Sequence, residues 1–200
     1  MTIGCVILAG GKSSRMGTDK ALLSIENHNF IQKLCETFSF FEEKIIARGD
    51  KEKTVDVTWS VISDIYPHHG PIGGLHAALQ ACQSEALFCA ACDTPLIKRA
   101  IYDRLAMEMT EDTDVVIPVT EDGKYHPLCG IYRKTVGNIM EEQILGGNNR
   151  MMQVLKKVRT KYVNINSIEY GIYNINTPEQ YNLYIKKKNR EISFDKSSDI

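Results

Sequence analysis

The sequence lacks a long hydrophobic run, a basic amino-terminal segment and a large excess of charge of either sign. Residues Met1 to Cys5 lead directly into a short apolar stretch, so we expect neither a signal peptide nor a membrane-spanning helix. The 24 basic and 25 acidic residues give a formal net charge of −1, which provides no general attraction to nucleic acid or to an anionic membrane. We therefore expect a cytoplasmic protein without a nucleic-acid or membrane partner, which binds anionic ligands through local groups.

Cysteine occurs at six positions, but the spacing indicates neither a disulfide framework nor a zinc site. Most of the cysteines lie in apolar segments, where a reduced thiol behaves as a small hydrophobic group. Cys89 and Cys92 form a C-x-x-C string inside a predicted strand, without a second pair or a suitably spaced histidine. We expect free thiols, and a redox or zinc function for this string is the weaker alternative.

Short segments rich in Val and Ile alternate with longer amphipathic segments, which predicts an α/β domain with a mostly parallel sheet covered by helices on both faces. The predicted strands are Ile3–Leu8, Lys44–Arg48, Thr58–Ser63, Ala86–Ala91, Asp114–Val119, Pro127–Tyr132 and Lys161–Asn164. The predicted helices are His28–Phe40, Ile72–Cys82, Lys98–Met109, Thr135–Leu145, Arg150–Lys157 and Pro178–Lys187. We expect one domain over residues 1–185, followed by a polar and flexible tail over residues 186–200.

The segment LAGGKSSRMG, residues 8–17, follows the first predicted strand and has the composition of a phosphate-binding loop. Glycines allow backbone N–H groups to approach phosphate oxygens, and Lys12, Arg15 and Lys20 can neutralise a polyphosphate. The spacing matches neither a P-loop nor the G-x-G-x-x-G dinucleotide fingerprint. A glycine-rich turn with solvated charges is the structural alternative.

Asp93, in the string CDTP, follows the apolar run that ends at Ala91. A single carboxylate at the carboxyl end of a strand suits Mg²⁺, which completes its coordination with water and substrate phosphate oxygens. The alternative is an aspartate that caps a helix begun with the help of Pro95.

Four other segments, two beside predicted strands and two beside predicted helices, carry polar side chains. Asp64 begins a Gly/Pro-rich turn and is a candidate for hydrogen bonding a nucleotide, whereas the adjacent His68 and His69 are interpreted as loop residues. His126 precedes a strand, and Arg150 is placed to meet a substrate phosphate. The segment 174–179 reads as a helix start with Thr177 as its N-cap.

Six segments, taken in order along the chain, resemble the molybdenum cofactor guanylyltransferase (MobA-type) family. They are LAGGKSSRMGTDK, SDIYPHHGPIGGL, ACDTPLI, HPLCGIY, NNR and NINTPEQY. The resemblance extends from Ile3 to about Tyr184 and implies the single-domain, Rossmann-like three-layer sandwich of nucleotide-diphospho-sugar transferases. Within the wider superfamily of NTP transferases, LAGG rather than LAAG, the short chain and the string NINTPE favour the guanylyl enzyme over its cytidylyl relative.

The resemblance implies GTP contacts at Leu8, Ala9, Gly10, Lys20, Asp64 and Asp93. It also implies that Asp93 binds Mg²⁺ and that Lys20 and Arg15 act on the triphosphate. The acceptor-side candidates are His126, Arg150 and Asn176. One departure affects the choice of base, since Arg48 and its neighbours stand where related enzymes often have an asparagine.

The implied reaction is the transfer of GMP from GTP to the phosphate of a molybdopterin-type cofactor, with release of pyrophosphate. No general base is needed because the acceptor is already anionic, so positioning and charge neutralisation supply the catalysis. The implied partners are the two substrates, with transient contact to molybdoenzymes or their chaperones. The alternatives are a cytidylyl- or sugar-1-phosphate nucleotidyltransferase and a GTP-binding cofactor carrier without catalysis.

Overall fold

A seven-stranded sheet runs through the part of the chain that the structure, a computed structural model, describes. The described residues are 1–10, 24–25, 28–49, 58–175, 177 and 179–180, with the backbone alone for 24, 25 and 28. The strands are β1 (Ile3–Leu8), β2 (Ser24–Ile25), β3 (His28–Asn29), β4 (Lys44–Ala47), β5 (Ser60–Ile62), β6 (Ala86–Ala91), β7 (Val115–Thr120), β8 (Cys129–Arg133) and β9 (Thr160–Ile165). The helices are α1 (Phe30–Thr37), α2 (Pro71–Ala81), α3 (Arg99–Ala106), α4 (Val136–Leu145), α5 (Met151–Leu155) and α6 (Ser167–Tyr170).

The strands of the main sheet lie in the order β5-β4-β1-β6-β8-β7-β9, and β2 and β3 form a separate hairpin. Strand β1 pairs in parallel with β4 and β6, so that Leu8 lies beside both Ala47 and Ala91. Strand β8 is antiparallel to both β6 and β7, whereas β7 and β9 are parallel to each other. The carboxyl ends of the other six strands therefore lie at one edge, together with the amino end of β8.

Two apolar layers cover the faces of the sheet. On one face, α1 and α3 pack on β1 and β6 through residues that include Leu34, Phe38 and Ile101. On the other face, α2, α4 and α5 pack on the same strands through residues that include Leu75 and Met140. Burial of each such side chain contributes about 1.5–3 kcal/mol, so the two layers fix the positions of the loops at the edge of the sheet.

The central strands are apolar throughout because both of their faces are covered. All six residues of β6 are buried, and five of the six residues of β1 are buried. A strand covered on both faces shows a continuous apolar run rather than alternation. This explains why the sequence predicts both strands with their observed bounds.

The structure confirms the predicted α/β class and the order of the predicted elements within the described residues, with bounds that shift by up to three residues outside β1 and β6. Helix α1 begins at Phe30 rather than His28, because Asn29 and Gln32 form a capping box at its start. The hairpin of β2 and β3 and the short helix α6 were not predicted. The predicted helix 178–187 lies largely outside the described residues, although Thr177 and Gln180 exchange the hydrogen bonds of an N-terminal cap.

The six cysteines are all free thiols, as predicted. Cys89 is fully buried in one apolar layer and Cys92 packs against the other, so the C-x-x-C string does not present two thiols to one site. Burial raises the pKa of the Cys89 thiol well above its ordinary value. Within the described ranges, each helix falls short of the length and apolarity needed to cross a bilayer.

Candidate functional site

The candidate site lies at the carboxyl edge of the sheet. It is at the switch point where successive strands are added first on one side of β1 and then on the other. From β1 the chain proceeds to β4 and β5 on one side, and then crosses to β6 on the other side of β1. The helices that follow β1 and β5 consequently cover opposite faces. Ligands of open α/β sheets bind in the crevice that such a switch point creates, which here lies between the ends of β1 and β6.

The end of β1 enters this crevice at Leu8, Ala9 and Gly10. The N–H of Ala9 donates to the carbonyl of Ala47 (2.9 Å), which holds this segment beside the end of β4. A Cβ atom built at Gly10 would lie 3.2 Å from the backbone nitrogen of Gly49. The two loops therefore approach each other backbone to backbone, and a side chain at Gly10 would push them apart.

Asp64 lies behind this contact, with its carboxylate packed against three glycines. Cβ atoms built at Gly49, Gly73 and Gly74 would each lie 3.4–3.5 Å from a carboxylate oxygen of Asp64. Its Oδ1 is shielded from solvent and has no hydrogen-bond partner among the described residues. Burial raises the pKa of Asp64, and the nearby His68 and His69 partly oppose this effect. A desolvated carboxylate at the carboxyl edge of the sheet, without a described hydrogen-bond partner for Oδ1, fits a group retained for a ligand.

Asp64→Asn is expected to increase stability while weakening nucleotide binding. Because burial raises the pKa of Asp64 in the folded state, ionisation of this carboxylate costs stability as pH rises through that pKa. The asparagine amide does not ionise and avoids this cost. The thermal midpoint of the Asp64→Asn protein at pH 8 should therefore exceed that of the wild type by about 1–3 °C. The difference should shrink as pH falls below the pKa of the folded state. GTP affinity should fall by about ten- to a hundredfold if the carboxylate accepts hydrogen bonds from the nucleotide.

Thermal unfolding from pH 4 to pH 8 and GTP titration measure the two effects separately. Asp103→Asn, on an exposed part of α3, is the matched control and should change neither quantity appreciably. A variant that is less stable than the wild type at pH 8, or that binds GTP normally, would contradict this role for Asp64.

Asp93 lies two residues beyond β6, on the other side of the crevice. The N–H of Cys92 donates to the carbonyl of Leu8 (3.0 Å), which places Asp93 next to the end of β1. The Asn174 side-chain amide donates to Asp93 Oδ2 (3.2 Å), and the N–H of Ile175 donates to the Asp93 carbonyl (2.7 Å). The segment after α6 therefore holds both the backbone and the carboxylate of Asp93.

The surroundings of Asp93 fit a magnesium ion shared with a substrate. Among the described residues, no three His, Cys, Asp or Glu side chains come together as a metal-binding group. Mg²⁺ does not require such a cage, because it is commonly held by one or two carboxylates and by phosphate oxygens. An amide that orients the carboxylate from behind is the usual form of outer support at such sites.

His126 lies at the same edge, on the turn between β7 and β8. Its ring is buried, with Nε2 3.0 Å from the hydroxyl oxygen of Thr120. Burial lowers the pKa of His126, with a further contribution from Lys124 and an opposing one from Asp122. The ring stabilises the turn through its contact with Thr120, and its contact with an acceptor stays a prediction.

Arg150 is also at the carboxyl edge, where the loop from α4 leads into α5. The side chain is exposed, and its backbone N–H donates to Asn148 Oδ1 (3.1 Å). In the same loop Asn149 contacts His69, whose Nδ1 lies 2.7 Å from Asn149 Oδ1. The structure thus brings the loop that carries Arg150 against the loop that carries Asp64.

Three predicted site residues, Arg15, Lys20 and Asn176, lie outside the described residues. A role for Asn174 was not predicted from the sequence, although a polar residue just before the predicted helix cap is a signal that could have indicated one. His69 was predicted to be a simple loop residue, because no spacing rule pairs it with an asparagine 80 positions away. The role of Gly49 could be found only from the close approach of two loops.

The chain matches the family described as MobA-like NTP transferase domain over residues 5–162. A protein of Clostridium perfringens (strain SM101 / Type A) named "Probable molybdenum cofactor guanylyltransferase" is 35% identical over 191 residues, covering 91% of this chain and 96% of that protein. The crystal structure of a protein from Aquifex aeolicus is 34% identical, covers 87% of this chain and 93% of its own, and has a TM-score of 0.74.

Molybdopterin-guanine dinucleotide biosynthesis protein A from Archaeoglobus fulgidus has the same fold, with a TM-score of 0.81 at 23% identity, covering 94% of this chain and all of that chain (100%). The fold is therefore that of the nucleotide-diphospho-sugar transferases, as the resemblance implied. The match to the family extends over most of the sheet, from the first strand to the last, and includes Leu8 to Gly10, Asp64 and Asp93. The chain belongs to the family of MobA-like NTP transferase domains.

Proposed function

We propose that this protein transfers GMP from GTP to the phosphate of a molybdopterin-type cofactor, releasing pyrophosphate and forming the molybdopterin guanine dinucleotide cofactor. The observation that carries the proposal is the placement of Asp93 beside the Leu8–Gly10 loop, with Asn174 holding its carboxylate. Family membership and full-length relatives named for this activity support it.

In this reaction an oxygen of the acceptor phosphate attacks the α-phosphorus of GTP while the bond from that phosphorus to the pyrophosphate oxygen breaks. The attacking oxygen already carries charge, so no side chain has to remove a proton. The chain's tasks are to orient the two substrates and to offset the charge of the departing pyrophosphate. The loop N–H groups, Lys20 and Arg15 are proposed for the second task.

Asp93 would hold Mg²⁺, and Asn174 would keep its carboxylate in the orientation for binding. The ion would supply charge neutralisation at phosphate oxygens when bound. Asp64 is proposed to accept hydrogen bonds from the nucleotide, and His126, Arg150 and Asn176 are proposed to face the acceptor. Residues 1–185 are proposed as the transferase domain and 186–200 as a flexible tail. The protein is proposed to act in the cytoplasm, with transient contact to molybdoenzymes or their chaperones.

The test is pyrophosphate release from GTP, CTP, ATP and UTP, each with Mg²⁺ and molybdate-loaded molybdopterin, followed by identification of the product. We expect release that depends on both GTP and the acceptor, with a guanylylated pterin as the product. Release with CTP instead would assign the cytidylyl reaction. Tight GTP binding without release from any nucleotide would favour the cofactor carrier.

The residues that follow β4 bear on which nucleotide the protein uses. Arg48 and Gly49 stand where related enzymes often have an asparagine, and Gly49 lies against Gly10 and Asp64 at the carboxyl edge of the sheet. In this chain the Gly49 backbone packs against Gly10 at that position, and the sequence offers no asparagine side chain there. The nucleotide panel therefore tests base selectivity as well as activity.

A further inference from the structure

Two loops that are distant in sequence meet through a single polar contact at the carboxyl edge. The Asp64 loop, residues 63–70, joins β5 to α2, and the Arg150 loop, residues 146–150, joins α4 to α5. His69 Nδ1 lies 2.7 Å from Asn149 Oδ1. Because an amide oxygen can only accept, the imidazole donates from Nδ1 in this contact. Neither residue touches the carboxylates of the candidate site by a described hydrogen bond.

The Asp64 loop is built so that the His69 ring has a defined position. His68 has a φ of 70° and Gly70 a φ of 68°, so residues with positive φ stand on both sides of His69. The ring of Tyr66 meets the His69 ring edge-on, with 6.5 Å between ring centroids. On its other side Tyr66 packs on the buried His76 of α2, at 5.5 Å. The His69 ring is therefore supported by helix α2 through Tyr66.

A second contact ties the same two parts of the molecule together. The Tyr66 hydroxyl donates to Glu141 Oε1 (2.7 Å), in the middle of α4. The far ends of these two helices also pack closely, since a Cβ built at Gly137 would lie 3.5 Å from Leu79 Cβ. Helices α2 and α4 thus pack together, and the contact between His69 and Asn149 joins the Arg150 loop to the Asp64 loop.

The Arg150 loop is short and bonded at both ends. Helix α4 ends at Leu145 and is followed by Gly146 and Gly147, and the N–H of Asn148 donates to the carbonyl of Gln143 (2.9 Å). Asn148 Oδ1 then accepts from the N–H of Arg150 (3.1 Å), at the start of α5. Because His69 holds Asn149, the backbone position of the neighbouring Arg150 is fixed relative to the Asp64 loop.

We propose that His69 and Asn149 are a pair of positioning residues that hold Arg150 in place at the carboxyl edge, where Arg150 is proposed to face the acceptor. This inference rests on the proposed function. The pair contacts neither substrate and acts through Arg150, whose guanidinium is suited to bind the phosphate of the acceptor. Loss of the pair should therefore lower kcat/KM for the acceptor and leave GTP affinity unchanged, because GTP binding depends on other residues.

The experiment measures GTP affinity and the kcat/KM for molybdopterin with His69→Ala, Asn149→Ala and the double variant. Each single variant should lower kcat/KM for the acceptor by about three- to tenfold, the usual effect of losing one hydrogen bond. The double variant should be no worse than the poorer single variant, because the two side chains share one contact. GTP affinity should stay within about twofold of the wild type, below the effect of one hydrogen bond.

Two further variants distinguish positioning of Arg150 from a non-specific loss of loop structure. His69→Gln retains an amide donor for Asn149 and should recover most of the lost kcat/KM. In an Arg150→Ala background, adding His69→Ala should cause no further loss. Asn138→Ala, exposed at the opposite end of α4, is the matched control for Asn149→Ala.

If the fold-losses in kcat/KM of the two single variants multiplied in the double variant, His69 and Asn149 would act independently and the proposal would be overturned. A parallel loss of GTP affinity, or a full additional loss in the Arg150→Ala background, would also overturn it. An active wild type whose variants all behave normally would overturn this inference alone. A wild type without GTP-dependent turnover would overturn the proposed function and, with it, the role of the pair.

Discussion

Replacement of Asp93 by alanine is expected to lower turnover by at least about a thousandfold, because the carboxylate proposed to bind Mg²⁺ is lost. The fold should persist, since Ile175 bonds the backbone carbonyl of Asp93, which alanine retains. Asp93→Asn keeps an oxygen that can accept from Asn174, but it removes the charge. We expect this variant to be almost as inactive, which would show that charge rather than shape is required.

Pyrophosphate release under saturating substrates measures this effect, with thermal unfolding as the test of folding. Asp103→Ala is the matched control, because it removes an aspartate whose ion pair with Arg99 is exposed. A folded and pure Asp93→Ala protein with near-normal turnover would exclude Asp93 as the metal ligand. A normal Asp93→Asn variant would instead assign a purely steric role to this side chain.

Gly171→Ala is expected to lower the free energy of unfolding by about 2–4 kcal/mol, the sum of left-handed backbone strain and a steric collision. Gly171 ends α6 with a φ of 70°, and a Cβ there would collide with the carbonyl oxygen of Leu96. This backbone contact cannot be relieved by rotating a side chain. The expected fall in the thermal midpoint is about 5–15 °C for a domain of this size.

Activity should fall with stability in this variant, because Gly171 begins the segment that brings Asn174 and Ile175 to Asp93. Gly123→Ala is the matched control, since Gly123 has a φ of 78° but nothing within 4 Å of a built Cβ. This control isolates the backbone strain and should cost only about 1 kcal/mol. Equal losses in the two variants would show that the collision at Leu96 is relieved at little cost.

The elements covered on both faces were the most accurately predicted from sequence. Strands β1 and β6 have their predicted bounds, because a continuous apolar run ends sharply at the polar loop that follows each of them. The short hairpin of β2 and β3 was missed because two-residue strands leave no periodic pattern. Helix α6, with four residues, is equally short and is set by its Asn166 cap.

Within the site, the residues found from sequence are those that directly follow strands. Asp64 and Asp93 were identified because chemistry in open α/β sheets concentrates at the carboxyl ends of strands. Asn174 and the pairing of His69 with Asn149 were not identified, because their partners lie 81 and 80 positions away. Contacts of that range depend on the order and direction of the strands, which local patterns do not encode.

By itself the sequence determined the α/β class, the positions of the main strands and helices, and the strand-end loops that carry the candidate chemistry. These features follow from local hydrophobic periodicity and from residue types at strand ends. Only the tertiary structure decided that Gly10 approaches Gly49, that Asn174 supports Asp93 and that His69 anchors the Arg150 loop. The physical reason is that sheet order and helix packing bring distant backbones together, and short-range polar contacts form only after that assembly.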